Sequence, residues 1–190
     1  MYWFLRNWDT ILVVLIIVYA LYYFLGRNKT GKLPKPISNW YHLFEGLQES
    51  PQPIYTAIEE SIKKRQLSDV HLSRVDYREG GVFSAKREYL RVQRKELLFD
   101  ICAAPFGNGF FVSWWLGEAL SGIWTFPLLG PLLIMLFRPP TYYRIDTTHM
   151  FQELIRGAVN EVIEQVAQTK GLRGLTELEK KPTMTERILK

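Results

Sequence analysis

Between Phe110 and Phe137 the chain reads FFVSWWLGEALSGIWTFPLLGPLLIMLF, with Glu118 its one charged residue and a break near the middle at Pro127, Gly130 and Pro131. Three readings compete for it: a single membrane span, a re-entrant hairpin, or an unusually apolar piece of a folded core. The choice decides how everything around it can assemble. A span over Ala119–Phe137 would have nineteen residues, enough to cross a bilayer once. It would also carry residues 138–190 to the side opposite the segment before it. The flanks argue against that: Lys86, Arg87, Arg91, Arg94 and Lys95 precede the stretch and Arg138, Arg144 and Arg156 follow it, so no orientation satisfies the positive-inside bias.

A hairpin over residues 116–137 keeps both flanks on one side. Its arms of about ten residues reach only about 15 Å as helix, half the hydrocarbon core, and the Pro127–Pro131 break supplies the reversal. Trp115 and Trp124 suit the interfacial depth, and Pro127, Gly130 and Pro131 form the turn. The sequence favours this hairpin, with the span and the buried core as alternatives.

A second apolar block lies near the amino terminus. After a flank of residues 1–9, TILVVLIIVYALYYFLG (10–26) runs without a charge, and at 1.5 Å per residue it makes about 26 Å of helix, close to a hydrocarbon thickness of roughly 30 Å. Ile11, Leu15 and Ile16 would face lipid, with Trp8 at one interface and Tyr22 and Tyr23 at the other. Aromatics before the run and the lack of a small-residue cleavage site distinguish it from a signal peptide. Arg27, Lys29, Lys32 and Lys35 follow, against Arg6 alone before, which places the amino terminus outside and the main domain in the cytoplasm. Residues 27–39, with Pro34 and Pro36, read as a linker.

The remainder, 40–171, reads as one α+β domain. Trp40–Leu47 fits a short helix, and Ser50-Pro51 starts an amphipathic one in which Ile54, Ala57, Ile58 and Ile62 share a face up to about Gln66. DVHLSRVDY, VFSAKREYLRV, LLFDICAA and FFVSWW then read as four antiparallel strands joined by hairpins, with TYYRIDT (141–147) a possible fifth. Thr147 or Thr148 would cap a last helix whose stripe is Phe151, Leu154, Ile155, Ala158, Val162, Ile163 and Val166, ending at Gly171. Two helices on one face of a four- to five-stranded sheet bury every apolar side. The tail, 172–190, holds two capping boxes, Thr176 with Glu179 and Thr183 with Glu186, and reads as short helical pieces, loosely docked or mobile.

Chemistry-bearing patterns are sparse. A single cysteine, Cys102, rules out an internal disulfide and sits in a strand too apolar to activate a thiol. His71, His149, Asp100 and Asp146 show no spacing that requires convergence, and no close-paired set suits zinc. PFGNG lacks the helix and Lys-Ser/Thr of a phosphate loop and reads as a hairpin turn. No metal or cofactor is therefore expected. The net charge of +5 suits a protein beside anionic lipid. Arg27, Lys29, Lys32, Arg87 and Arg91 are the expected headgroup contacts, and the tether disfavours nucleic acid as the polyanion. The expectation is a membrane-anchored scaffold or assembly subunit, its partners the bilayer and a protein or further copies of itself. The alternative is a membrane-associated enzyme or lipid-binding protein with an apolar substrate, using Glu118, Asp146 and His149.

Overall fold

A computed structural model describes residues 35–78, 85–119 and 141–184, with the single positions 130, 134 and 139. The anchor at 10–26, and most of the hairpin proper with Trp124, Pro127 and Pro131, lie outside the described residues. Within them the chain is α+β. The order is β1 (Lys35–Glu45), α1 (Pro51–Lys64), β2 (His71–Arg78), β3 (Lys86–Arg94), β4 (Leu97–Phe106), β5 (Gly109–Glu118), α2 (Tyr142–Thr169) and a two-residue β6 (Thr183–Met184). The strands form one antiparallel sheet in the order β2-β3-β4-β5-β1-β6, with α1 and α2 packed together on one face. No helix among the described residues is long and apolar enough to cross a membrane.

Three local expectations are corrected. Trp40–Leu47 is not a helix, and the linker ends earlier than expected: Lys35 to Glu45 is a strand paired with β5 from Lys35↔Glu118 to Glu45↔Gly109. Trp40 and Phe44 point into the core while Tyr41 and Leu43 point out, the period-2 pattern of a strand. Pro36 sits where the ladder slips, between Pro36 and Ser38, a place that tolerates a residue without an N–H. The two prolines hid the strand by resembling a linker.

TYYRIDT is not a strand but the opening of α2. Thr141 is its N-cap, its hydroxyl accepting from the Arg144 N–H at 3.3 Å. Thr147 and Thr148 donate instead to the carbonyls of Tyr143 and Arg144, four residues back inside the helix. The other end follows the sequence. Gly171 adopts φ +69°, its N–H bonds Gln168 O at 3.0 Å, and Leu172 N–H bonds Ala167 O at 2.9 Å, a Schellman closure.

The third correction concerns the tail. Leu175 joins the core, Trp40 Nε1 donates to Glu179 O, Arg156 Nη1 donates to Lys180 O, and β6 adds to β1 at Ser38 and Asn39. The Thr176–Glu179 capping box forms, with Thr176 N–H on Glu179 Oε2 at 2.8 Å. Residues 172–184 are thus docked along the free edge of β1.

The core lies between sheet and helices. Leu90, Val92, Phe99, Ile101, Phe110, Val112, Trp114 and Leu116 supply the sheet side, and Ile54, Ile58, Ile155 and Ile163 are among the helix residues that meet them. Tyr55 of α1 makes a specific contact with β3 and β4. The β3–β4 register runs from Arg94↔Leu97 to Leu90↔Ile101; two residues beyond, the Tyr55 hydroxyl donates to Glu88 O at 2.8 Å and accepts from Ala103 N–H at 2.9 Å. A phenol oxygen stands there between the two strands. That closes the accounting for two backbone groups that would otherwise be unpaired.

Candidate functional site

The sheet face turned away from the helices carries the molecule's polar chemistry and much of its exposed aromatic surface. Strand alternation and register place its residues in rows. Ser73, Arg91, Asp100, Trp115 and Asn39 form one, and Tyr77, Arg87, Ala104, Phe111 and Leu43 lie further from the Lys35–Glu118 end.

On β2–β4 this face is a closed polar network. Asp100 is only 2% exposed, yet Arg91 grips it with two parallel bonds, Nε to Oδ1 and Nη2 to Oδ2, both 2.7 Å. Tyr77 donates its hydroxyl to Asp100 Oδ2 at 2.7 Å and accepts from Arg91 Nη2. Bidentate arginine–carboxylate geometry is among the strongest charge-assisted arrangements available to a side chain. The Asp100 bonds hold the Arg91 guanidinium protonated beyond its usual range, while burial and then the bond to Asp100 push the Tyr77 phenol up. Cys102 is fully buried one row on, beside Arg87, Tyr89 and Ser113, and burial raises its thiol above the ordinary cysteine value. A neutral enclosed thiol is a poor nucleophile.

On β5 and β1 the same face is apolar and open. Tyr41 is 66% and Trp115 41% exposed, Leu43 and Phe106 are exposed beside them, and the Tyr41 and Phe111 rings stack at 6.3 Å. Phe106 lies at the β4–β5 turn, so the strip runs along most of the sheet.

The residues named from sequence fall as follows. Trp115 is a strand residue in register with Asp100 and Asn39, not part of a hairpin, and 116–118 complete β5. Gly130 is one of the isolated described positions and is buried. Arg87 and Arg91 both lie on the outer face, but the Arg91 guanidinium is engaged by Asp100 and of the two only Arg87 is exposed. Arg27, Lys29 and Lys32, and the anchor residues Trp8, Ile11, Leu15, Ile16, Tyr22 and Tyr23, lie outside the described residues. Glu118 accepts from Arg144 Nη2 at 2.7 Å, while Asp146 and His149 are exposed on α2. Among the described residues no group of three or more His, Cys, Asp or Glu could hold a metal ion. Sequence reasoning missed Tyr41 and Leu43 as surface because Trp40–Leu47 reads as a helix, and Phe106 because PFGNG reads only as a turn. Tyr77 was legible only once β2 and β3 were set in register.

No family model matches the chain, and no curated protein does. Among solved structures it is similar to the crystal structure of TTHA0849 from Thermus thermophilus, at 16% identity over 67% of this chain and 97% of that one, with a TM-score of 0.26. A likeness that slight adds nothing to the fold or the site derived above.

Proposed function

We propose that the protein is a membrane-anchored, cytosol-facing assembly subunit that engages a protein partner, another copy of itself included, through the outer face of its sheet. In this reading residues 10–26 span the bilayer, Arg27, Lys29 and Lys32 lie against anionic headgroups, and the apolar stretch after Glu118 dips into the membrane and returns.

The observation that carries the proposal is the exposed strip of Tyr41, Leu43, Phe106 and Trp115. Contiguous exposed apolar surface on a folded domain marks an interaction site, and aromatic residues are enriched in the cores of protein interfaces. Beside it the Tyr77–Arg91–Asp100 network stiffens the neighbouring strands, so the strip is presented without rearrangement. Solubilised full-length protein is expected to have a native mass above that of one chain in its detergent belt. Tyr41→Ser, Phe106→Ser and Trp115→Ser together are expected to reduce it to the single chain. A wild-type protein that runs alone and as one chain overturns the proposal.

A further inference from the structure

Three chain ends meet at one end of the domain. Lys35, which receives the chain from the amino-terminal apolar block, lies opposite Glu118 in the β1–β5 ladder, so the chain enters β1 where it leaves β5. The Ala119 N–H bonds Glu96 O at 2.8 Å, on the β3–β4 turn at the same end. Arg144, in the first turn of α2, is 2.7 Å from Glu118 and 3.6 Å from Glu96, which brings the chain re-entering at Thr141 to the same place. The opposite end holds the Gly107–Asn108 turn and the Lys170–Glu49 pair beyond the end of α2.

We infer that the end built around Lys35, Glu96, Glu118 and Arg144 is the surface the domain lays on the bilayer, with Tyr142 and Tyr143 at headgroup depth; the inference rests on the anchor reading of residues 10–26. Tyr142 is 87% and Tyr143 81% exposed at this end, beside the exposed cations Lys35 and Lys95. Amphipathic rings with lysines are the side chains that settle at a lipid–water interface.

Chain length sharpens the point. The twenty-one residues of 120–140 span about 32 Å as helix, enough for one crossing, whereas two crossings need about 40 residues. One crossing would separate Ala119 from Thr141, yet Arg144 holds Glu118. Whatever enters lipid between them must come back to the same side. The orientation also withdraws Arg87 from the headgroups. It stands seven residues from Arg94 along β3, roughly 23 Å above the membrane end at 3.3 Å per residue. Arg87 therefore belongs to the partner face.

The test uses full-length protein with Cys102→Ala, reconstituted in vesicles of phosphatidylcholine with phosphatidylglycerol and spin-labelled at one introduced cysteine: Tyr143→Cys, Asn108→Cys or Leu15→Cys. Collision with an aqueous nickel chelate and with lipid-soluble oxygen reports depth at each. Position 143 is expected to be several-fold less accessible to nickel than position 108, and position 15 to respond to oxygen alone. Equal nickel access at 143 and 108, with 15 still in lipid, overturns the inference and leaves the anchor standing. Position 15 open to nickel overturns the anchor and the inference with it.

Discussion

The two halves of the sheet are held by different means. On β2–β4 the β3–β4 ladder covers five residue pairs, and side chains complete the joint: Tyr77, Arg91 and Asp100 on the outer face, and the Tyr55 hydroxyl between the strands. On β5–β1 the ladder runs the length of both strands, from Lys35↔Glu118 to Glu45↔Gly109. Its outer face carries Tyr41, Leu43 and Trp115, all exposed. One half uses its outer face for cohesion and the other offers it to solvent, which separates the residues that keep the fold from those available for binding.

Breaking the cohesive half should cost most. Asp100→Ala leaves the Arg91 guanidinium and the Tyr77 hydroxyl without their acceptor. Removing one partner of a buried ion pair costs about 3 to 5 kcal/mol, and the partial exposure of Arg91 points to about 3. Paired replacement by Arg91→Met and Asp100→Leu should recover most of it, because no uncompensated charge remains. Denaturant titration of the full chain in detergent measures both. If the single variant matches wild type, the network does not hold this half together. Next in size is Tyr55→Phe, which deprives Glu88 O and Ala103 N–H of their shared partner at nearly constant volume. The expected loss is about 1 to 3 kcal/mol, with faster amide exchange at Ala103 as its local signature.

The same contrast explains what was legible in the sequence. β2 to β5 were readable because each joins its neighbour by a short turn at Lys95-Glu96 or Gly107-Asn108, or follows it directly in the chain, so alternation and turn residues agree. β1 was not, because its partner β5 lies more than sixty residues later, its start at Pro36 mimics a linker and its Trp40–Leu47 stretch mimics a short helix. The start of α2 was misread for a related reason: Thr141-Tyr142-Tyr143 has strand composition, and its helical state follows from the Thr141 cap and the Arg144 pairing with Glu118, a residue of another element. Of the outer face, Arg87 and Arg91 were both named as headgroup contacts, but only the fold reveals that Asp100 engages Arg91.

The binding half should show the opposite response. Tyr41→Ser and Phe106→Ser remove side chains that are two-thirds exposed, so each should cost no more than about 1 kcal/mol while the assembly mass falls. A large loss of stability would show that this face is structural too, and the contrast would fail.

The smallest expected effect lies at the edge of that half, where the tail docks on β1. Bonds from Arg173 and from the Thr176 backbone and hydroxyl lower the Glu179 carboxyl to about 2, against an ordinary 4.5. A depressed carboxylate stabilises the folded state above its unfolded pKa, and that stability is lost as pH falls from about 4.5 through about 2. The Glu179 side chain is open to water on one side and its pairs are screened, so the global stability should barely move. The local effect is the loosening of residues 176–180, whose Glu179 carbonyl holds Trp40 Nε1. Amide exchange of this segment and the Trp40 indole proton shift should therefore change together across that window in wild type. In Glu179→Gln they should already be in the loosened state at neutral pH. An acid response that persists unchanged in Glu179→Gln would assign the edge to other carboxylates, with Glu164 and Glu177, both paired with Lys180, the next to substitute.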